Sequence, residues 1–158
     1  MITESFNFNE VLEMAKDIEV KGREFYNEQA EKTDNKEAEQ LFLRLAGDED
    51  DHYQRFNEIQ SQFQEKTGET DEYISDPQVG SYLEALVEFT VFPADKETGS
   101  INSLQEVLDM AIRAEKDSIL LYNEMKENNE GETRKVIEKL IEEEKNHLID
   151  LLKLDAEI

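Results

Sequence analysis

The chain contains two histidines, and each follows a glutamate by three residues: Glu49 precedes His52, and Glu144 precedes His147. In an α-helix, residues three apart project from the same face, so each pair can bind the same metal ion. Sites built from carboxylate and imidazole suit iron or manganese better than structural zinc, which often takes thiolate. The spacing therefore predicts a metal centre. The alternative is that these acids are solvated surface residues and both histidines are incidental.

An internal repeat strengthens the metal prediction. When the chain is compared with itself, matching residues recur at offsets of 96 and 95: Glu19 with Glu115, Tyr26 with Tyr122, Glu49 with Glu144, and His52 with His147. Two copies of one helical hairpin, joined by a long crossover, are a known way to build a four-helix bundle. Four carboxylates and two imidazoles then converge in the core, where two divalent ions would balance four negative charges. Two ions close enough to act on one O–O bond favour redox chemistry over hydrolysis.

Capping residues and apolar periodicity predict four long helices. The predicted N-caps are Asn7, Asp34, Ser103 and Asn129, and the first three helices end near Glu31, Thr67 and Asn128. The connection over 67–102 is too long for an ordinary bundle loop, and a short amphipathic helix is predicted there from Ser81 to about Phe89. We therefore expect an all-α four-helix bundle of two repeated hairpins, folded as a single domain over 1–158.

Four residues in matching positions accompany the predicted ligands: Gly22 with Ser118, and Tyr26 with Tyr122. The small side chains at Gly22 and Ser118 would leave room for metal, water or peroxide, or else allow close helix packing. Each tyrosine hydroxyl would bond a ligand carboxylate across the bundle or donate an electron or proton, or else each tyrosine is an ordinary core residue. Tyr26 and Tyr122 are therefore the candidate catalytic residues.

Composition excludes several classes of function. Asp and Glu outnumber Lys and Arg by 40 to 17 over 158 residues, and the net charge of −23 would repel nucleic acid and anionic membranes. The absence of cysteine removes thiolate catalysis, iron–sulfur clusters and rubredoxin-type iron from this sequence. Neither a membrane-spanning apolar run nor a signal peptide is apparent, so a cytoplasmic location is expected.

The repeated E-x-x-H and E-x6-Y patterns resemble the rubrerythrin family of ferritin-like di-iron proteins. The resemblance covers nearly the whole chain and rests on AKDIEVKGREFY in helix one, LFLRLAGDEDDHYQRF in helix two, AIRAEKDSILLY in helix three and IEKLIEEEKNHL in helix four. It implies a ferritin-like bundle in which Glu49 and Glu144 bridge two iron ions, with manganese or a mixed pair as the alternative. It also implies that Glu19 and Glu115 are terminal carboxylate ligands, and that His52 and His147 each give one nitrogen ligand to one ion. Tyr26 and Tyr122 are implied to form hydrogen bonds to the ligands.

The resemblance also implies an activity. In that family the reduced site reacts with hydrogen peroxide, each ferrous ion giving one electron, to yield water and a diferric centre. Rubrerythrins proper carry a rubredoxin domain that supplies electrons, and this cysteine-free sequence contains none, so an external donor such as a rubredoxin-type protein is expected. They also carry an extra glutamate three residues after the helix-three ligand, where this sequence has Ser118. The ligand set here therefore resembles a more symmetrical, ferritin-like centre.

Three functions remain open on the sequence. The leading one is reduction of peroxide at a di-iron site, and the second is oxidation and handling of ferrous iron by a ferritin-like protein that uses dioxygen. The third is a bundle whose metals are structural and whose apolar crossover segment, Tyr82 to Phe92, binds a partner. That segment would otherwise cover the bundle or form a dimer contact. A homodimer or higher homo-oligomer is expected.

Overall fold

The computed structural model describes residues 8–67, 85 and 103–158. Its helices are α1 (Phe8–Lys32), α2 (Lys36–Thr67), α3 (Leu104–Glu127) and α4 (Gly131–Glu157). The starts of α1 and α3 are 96 residues apart and those of α2 and α4 are 95 apart, as the repeat predicts. Several predicted features lie outside the described residues: the cap at Asn7, the short helix from Ser81 to Phe89 apart from Ala85, and the apolar segment from Tyr82 to Phe92.

Side-chain caps begin two of the helices. The predicted cap at Ser103 is confirmed, because its Oγ accepts a hydrogen bond from the backbone N–H of Glu106 at 3.2 Å. The prediction of a cap at Asp34 is wrong by one residue, since Asn35 Oδ1 accepts from the N–H of Ala38 at 3.0 Å. Both caps supply an acceptor to a first-turn N–H group that has no partner within its helix.

The turn between α3 and α4 differs from the sequence prediction. The sequence predicts Asn129 as the cap of α4, but its Nδ2 donates to the carbonyl of Met125 at 2.7 Å and so satisfies the end of α3. Glu130 takes the N-cap position, and its side chain makes no capping hydrogen bond to α4. Gly131 follows with a φ of 65°, a left-handed conformation that glycine adopts without a Cβ penalty. This glycine turns the chain into α4.

The apolar faces of the four helices meet in one core. Its large, fully buried side chains include Phe25, Phe42, Leu45, Phe56, Leu108, Leu121 and Met125. Apolar periodicity alone would assign Leu120 of α3 and Leu152 of α4 to the buried faces, but Leu120 is 44% exposed and Leu152 is 43% exposed. Each is adjacent to a fully buried leucine, and neighbouring positions on a helix point about 100° apart, so one of each pair faces outward.

Contacts between the hairpins show that α2 and α4 pack antiparallel. Arg44 pairs with Asp150 at 2.8 Å, and Arg55, further along α2, pairs with Glu143, which lies earlier on α4. The same opposed order holds between α1 and α3. The predicted four-helix bundle is therefore confirmed, and the faces that meet in it belong to both copies of the repeat.

The outward faces of the helices are charged. Ion pairs such as Lys21 with Asp17 and Lys32 with Glu28 lie one turn apart on α1. Exposed pairs of this kind contribute little stability, about 0–1 kcal/mol each. None of the helices in the ranges 8–67 and 103–158 is long and apolar enough to cross a membrane. The cytoplasmic location stays a prediction.

Candidate metal centre

Four glutamates and both histidines meet inside the bundle, and each is at most 2% exposed. α1 supplies Glu19, α2 supplies Glu49 and His52, α3 supplies Glu115, and α4 supplies Glu144 and His147. These are the six residues that the sequence predicts as ligands. Each lies on the buried face of its helix; Glu19, for example, is one turn beyond the fully buried Ala15. The helical period that builds the core therefore also carries the acids inward.

The six side chains form two overlapping groups. One group is Glu19, Glu49, His52 and Glu144, and the other is Glu49, Glu115, Glu144 and His147. Within each group, one possible ligand atom from every residue lies within 4.8 Å of the others. Both groups contain Glu49 and Glu144, so these two carboxylates would be shared between two cations if each group held one. One further glutamate and one histidine belong to each position alone.

Both imidazoles present Nδ1 to the carboxylates. His52 Nδ1 lies 2.7 Å from Glu144 Oε1 and 3.6 Å from Glu19 Oε2. His147 Nδ1 lies 3.2 Å from Glu49 Oε1 and 3.4 Å from Glu144 Oε2. The two rings stack with their centroids 5.4 Å apart. Each cation position therefore has one imidazole nitrogen directed toward it.

Asp48 contacts the outer nitrogen of one imidazole, although the sequence does not single it out. Its Oδ2 lies 3.0 Å from His147 Nε2, and this hydrogen bond lowers the pKa of Asp48. A carboxylate at the outer nitrogen fixes the tautomer and ring orientation of a metal-binding histidine. Asp48 is the first of four consecutive acidic residues, 48–51, and the residue types alone do not show which of these acids contacts the site and which are solvated. The sequence feature that could have identified Asp48 is its position directly before the predicted ligand Glu49, beside the face of α2 that meets α4.

The tyrosine hydroxyls bond glutamates on the opposite hairpin. Tyr26 on α1 donates to Glu115 Oε1 at 2.7 Å, and Tyr122 on α3 donates to Glu19 Oε1. Both tyrosines are fully buried. The cross-bundle hydrogen bond that the sequence predicts is therefore present at each tyrosine. A role for either tyrosine in electron or proton transfer stays a prediction.

Comparisons with known proteins agree with this geometry. The sequence profile of the Rubrerythrin family matches residues 10–155. The chain belongs to the rubrerythrin family. It is also similar to a crystal structure described as that of a ferritin-like diiron-carboxylate protein from Thermotoga maritima, with 32% identity and a TM-score of 0.79 over 98% of this chain and 97% of that one. No curated protein sequence matches the chain significantly. The family and the ferritin-like fold predicted from the sequence are thus confirmed.

In this rubrerythrin-family site, protons or cations must balance the negative charge of the buried carboxylates. Burial, followed by repulsion from Glu144, raises the pKa of Glu49 well above its usual value and that of Glu115 to about 8. Burial opposes the charged form of His52, but hydrogen bonds to Glu144 and Glu19 outweigh it and raise the pKa of His52 to about 10. Without cations, the cluster therefore retains protons at neutral pH.

The polar atoms of the cluster fit a pair of cations. Each of the four glutamates has one buried oxygen without a hydrogen-bond partner among the described residues: Glu19 Oε2, Glu49 Oε1, Glu115 Oε2 and Glu144 Oε2. Buried polar atoms left unpaired in this way are costly. Carboxylate oxygen and imidazole nitrogen are donors that iron and manganese accept. The rubrerythrin-family chain therefore contains a buried group of glutamates and histidines able to bind metal.

Gly22 and Ser118 lie on the buried faces of α1 and α3. Each is three residues beyond a predicted ligand, Glu19 or Glu115, so about one helical turn separates it from the cluster. By the sequence resemblance, Ser118 stands at the place where an additional glutamate is expected in rubrerythrins proper. The two groups of four consequently have the same composition, three glutamates and one histidine each. Room for peroxide beside these small side chains stays a prediction.

Proposed function

We propose that this chain binds two iron ions in the buried cluster and reduces hydrogen peroxide with electrons from an external donor. The observation that carries the proposal is the pair of overlapping groups that share Glu49 and Glu144. Shared carboxylates would hold two one-electron ions close together, which suits a two-electron oxidant such as peroxide. Manganese, or a mixed pair of ions, is the alternative metal content.

The proposed reaction consumes one hydrogen peroxide, two protons and two electrons, and it yields two water molecules. Bound ferrous iron would supply the two electrons, one from each ion, and become ferric. The sequence contains no cysteine, so the electrons that restore the ferrous state come from outside these 158 residues. We propose a separate rubredoxin-type protein as the donor.

The residues of the chain prepare the ligands for this chemistry. Tyr26 and Tyr122 each hold one oxygen of a glutamate, which leaves the second oxygen of Glu115 or Glu19 for a cation. Burial raises the pKa of both tyrosines well above its usual value, so their hydroxyls stay protonated as hydrogen-bond donors. Exclusion of bulk water from the buried cluster strengthens the electrostatic interactions within it.

A second candidate function is the oxidation and handling of ferrous iron with dioxygen. The observation that favours it is the serine at Ser118, because without a further carboxylate both cation positions take the same ligand types. Such a symmetrical set is the more ferritin-like arrangement. Iron uptake well beyond two ions per chain, with assembly into a cage or ring, would distinguish this function from peroxide reduction.

Stopped-flow oxidation of the ferrous protein tests the proposal. The protein is loaded anaerobically with ferrous iron, freed of loose ions, and mixed separately with hydrogen peroxide and dioxygen at equal concentrations. We expect peroxide to oxidise the site much faster, with no continued uptake of iron. Faster reaction with dioxygen, together with continued uptake, would contradict peroxide reduction and support iron handling.

A matched pair of variants ties the reaction to the cluster. Glu144→Gln removes the charge of a carboxylate that both groups contain, so the rapid oxidation should disappear. Glu142→Gln makes the same change at an exposed position two residues away on α4, and the rapid oxidation should persist. Equal rates in the two variants would show that the oxidised iron is bound elsewhere.

A further inference from the structure

The two imidazoles of the cluster have different outer contacts. The outer nitrogen of His147, Nε2, lies 3.0 Å from Asp48 Oδ2, while its Nδ1 faces the carboxylates without a hydrogen bond among the described residues. His52 also presents Nδ1 to the carboxylates, but its Nε2 is buried and has no hydrogen-bond partner within the described part of the chain. The two halves of the repeat therefore differ in whether the outer nitrogen of the histidine has a hydrogen-bond partner.

The repeat shows where the difference arises. The residue that matches Asp48 at the offset of 95 is Glu143 on α4. Glu143 accepts hydrogen bonds from both terminal nitrogens of Arg55, with Nη2 3.0 Å from Oε1. The residue that matches Arg55 is Asp150, so the other half has no arginine at this place. The carboxylate that corresponds to Asp48 is thus bound by Arg55, and His52 lacks the contact that His147 has.

The residue types that face the two groups of four possible ligands are the same in the two halves. Both positions share Glu49 and Glu144, and both histidines offer Nδ1. The remaining glutamate of each position accepts a hydrogen bond from a tyrosine on the opposite hairpin. The hydrogen bond between Asp48 and His147 is therefore a departure from two-fold equivalence at the outer nitrogen of a predicted ligand.

A carboxylate at the outer nitrogen strengthens a histidine ligand. It accepts a hydrogen bond from Nε2–H, which keeps the proton on Nε2 and the lone pair on Nδ1, fixes the ring and makes the ligand nitrogen more basic. Loss of such a partner typically weakens metal binding about 10- to 100-fold. This range sets the difference in affinity that the two halves should show.

We propose that the two ion positions are unequal and that Asp48 is the positioning residue that makes them so. The ion position that contains Glu115 and His147 binds its ion about 10- to 100-fold more tightly than the ion position that contains Glu19 and His52. At limiting metal the first position fills alone, and the ion at the second exchanges readily. This inference rests on the metal centre of the proposed function and is independent of which oxidant the site uses.

Histidine-selective NMR measures the order in which the positions fill. With two histidines in the chain, ¹⁵N-labelled histidine gives two ring systems, and a His52→Asn variant assigns them. Zn²⁺, a diamagnetic probe, is added stepwise to the chelator-treated protein. We expect the first equivalent to shift the signals of the His147 ring and the second to shift those of the His52 ring.

Three variants isolate the contribution of Asp48. Asp48→Ala should weaken the tighter position about 10- to 100-fold, so that both rings shift together. Asp48→Asn keeps an acceptor oxygen without the charge, and its affinity should fall between the two. Glu143→Ala, the change at the matching position of the repeat, should leave the order of filling as it is. Because Asp48 and Glu143 are only partly buried, the variants should fold, which circular dichroism checks.

The outcomes separate this inference from the proposed function. If both rings of the unsubstituted protein shift together, or if the His52 ring shifts first, the proposed inequality is overturned. If the His147 ring still shifts first in Asp48→Ala, the role of Asp48 is overturned. The metal centre stands in each of these cases. If neither ring shifts with excess Zn²⁺, the metal centre itself is overturned, and the inference with it.

Discussion

Buried acids in the cluster make the stability of the metal-free protein depend on pH. Burial, together with repulsion from Glu144, raises the pKa of Glu115 from 4.5 to about 8. In the unfolded chain the same carboxyl loses its proton near its usual value. Between these two values the folded state binds a proton that the unfolded state has lost. The free energy of unfolding therefore falls as the pH rises through this window.

The size of the effect follows from the difference in bound protons. One full proton corresponds to about 1.36 kcal/mol per pH unit, so a rise from about pH 5 to about pH 7.5 removes about 3 kcal/mol of stability through Glu115. His52 acts in the same direction. Because its pKa is raised from 6.5 to about 10, its stabilising contribution is complete below 6.5 and is lost as the pH rises through about 10. Bound cations replace these protons, so the metal-loaded protein should not lose stability in this way.

Urea denaturation followed by circular dichroism measures the pH dependence. The free energy of unfolding is determined between pH 5 and pH 7.5 for the chelator-treated protein, the metal-loaded protein and the Glu115→Gln variant. We expect stability to fall with pH in the metal-free protein and to fall less steeply in Glu115→Gln, whose amide takes up no proton. A metal-free stability that rises over this range, or a slope that Glu115→Gln leaves unchanged, would refute the reasoning.

Three substitutions test other parts of the site. Glu144→Ala removes a carboxylate common to both cation positions, so elemental analysis should show the loss of at least one ion; normal binding of two ions would show that the proposed arrangement is wrong. Tyr122→Phe removes the hydroxyl that bonds Glu19, so metal loading should persist while oxidation by peroxide slows in stopped-flow traces; an unchanged rate would leave the tyrosine a packing role. Ser118→Glu adds a carboxylate one turn beyond Glu115, and it should raise the rate with peroxide relative to that with dioxygen; an unchanged ratio would count against the importance of that carboxylate in this chain.

The residues that meet at the site could be predicted because one periodicity governs both the core and the cluster. Each E-x-x-H pair, and each glutamate with a tyrosine seven residues later, keeps to the helical face that also carries the apolar residues. The offsets of 96 and 95 add the long-range information, since they assign matching faces to helices that are far apart in sequence. All six predicted ligands and both tyrosines consequently lie buried together.

Features that depend on contacts between helices could not be predicted in the same way. Asp48 is distinguished from its acidic neighbours by the packing of α2 against His147 of α4, which the local sequence does not encode. The caps predicted at Asp34 and Asn129 each lie one residue before the N-cap position in the structure, and the local sequence does not fix which of two neighbouring residues begins the helix. Leu120 similarly competes with Leu121 for the core, and the packing of the neighbouring helices decides between them.

We propose that one chain holds two iron ions in a single buried cluster. Metal content, measured after anaerobic loading with ferrous iron and removal of loose ions, tests it most directly. We predict two iron ions per chain, one for each group of four possible ligands. A protein that retains no stoichiometric iron would contradict the claim.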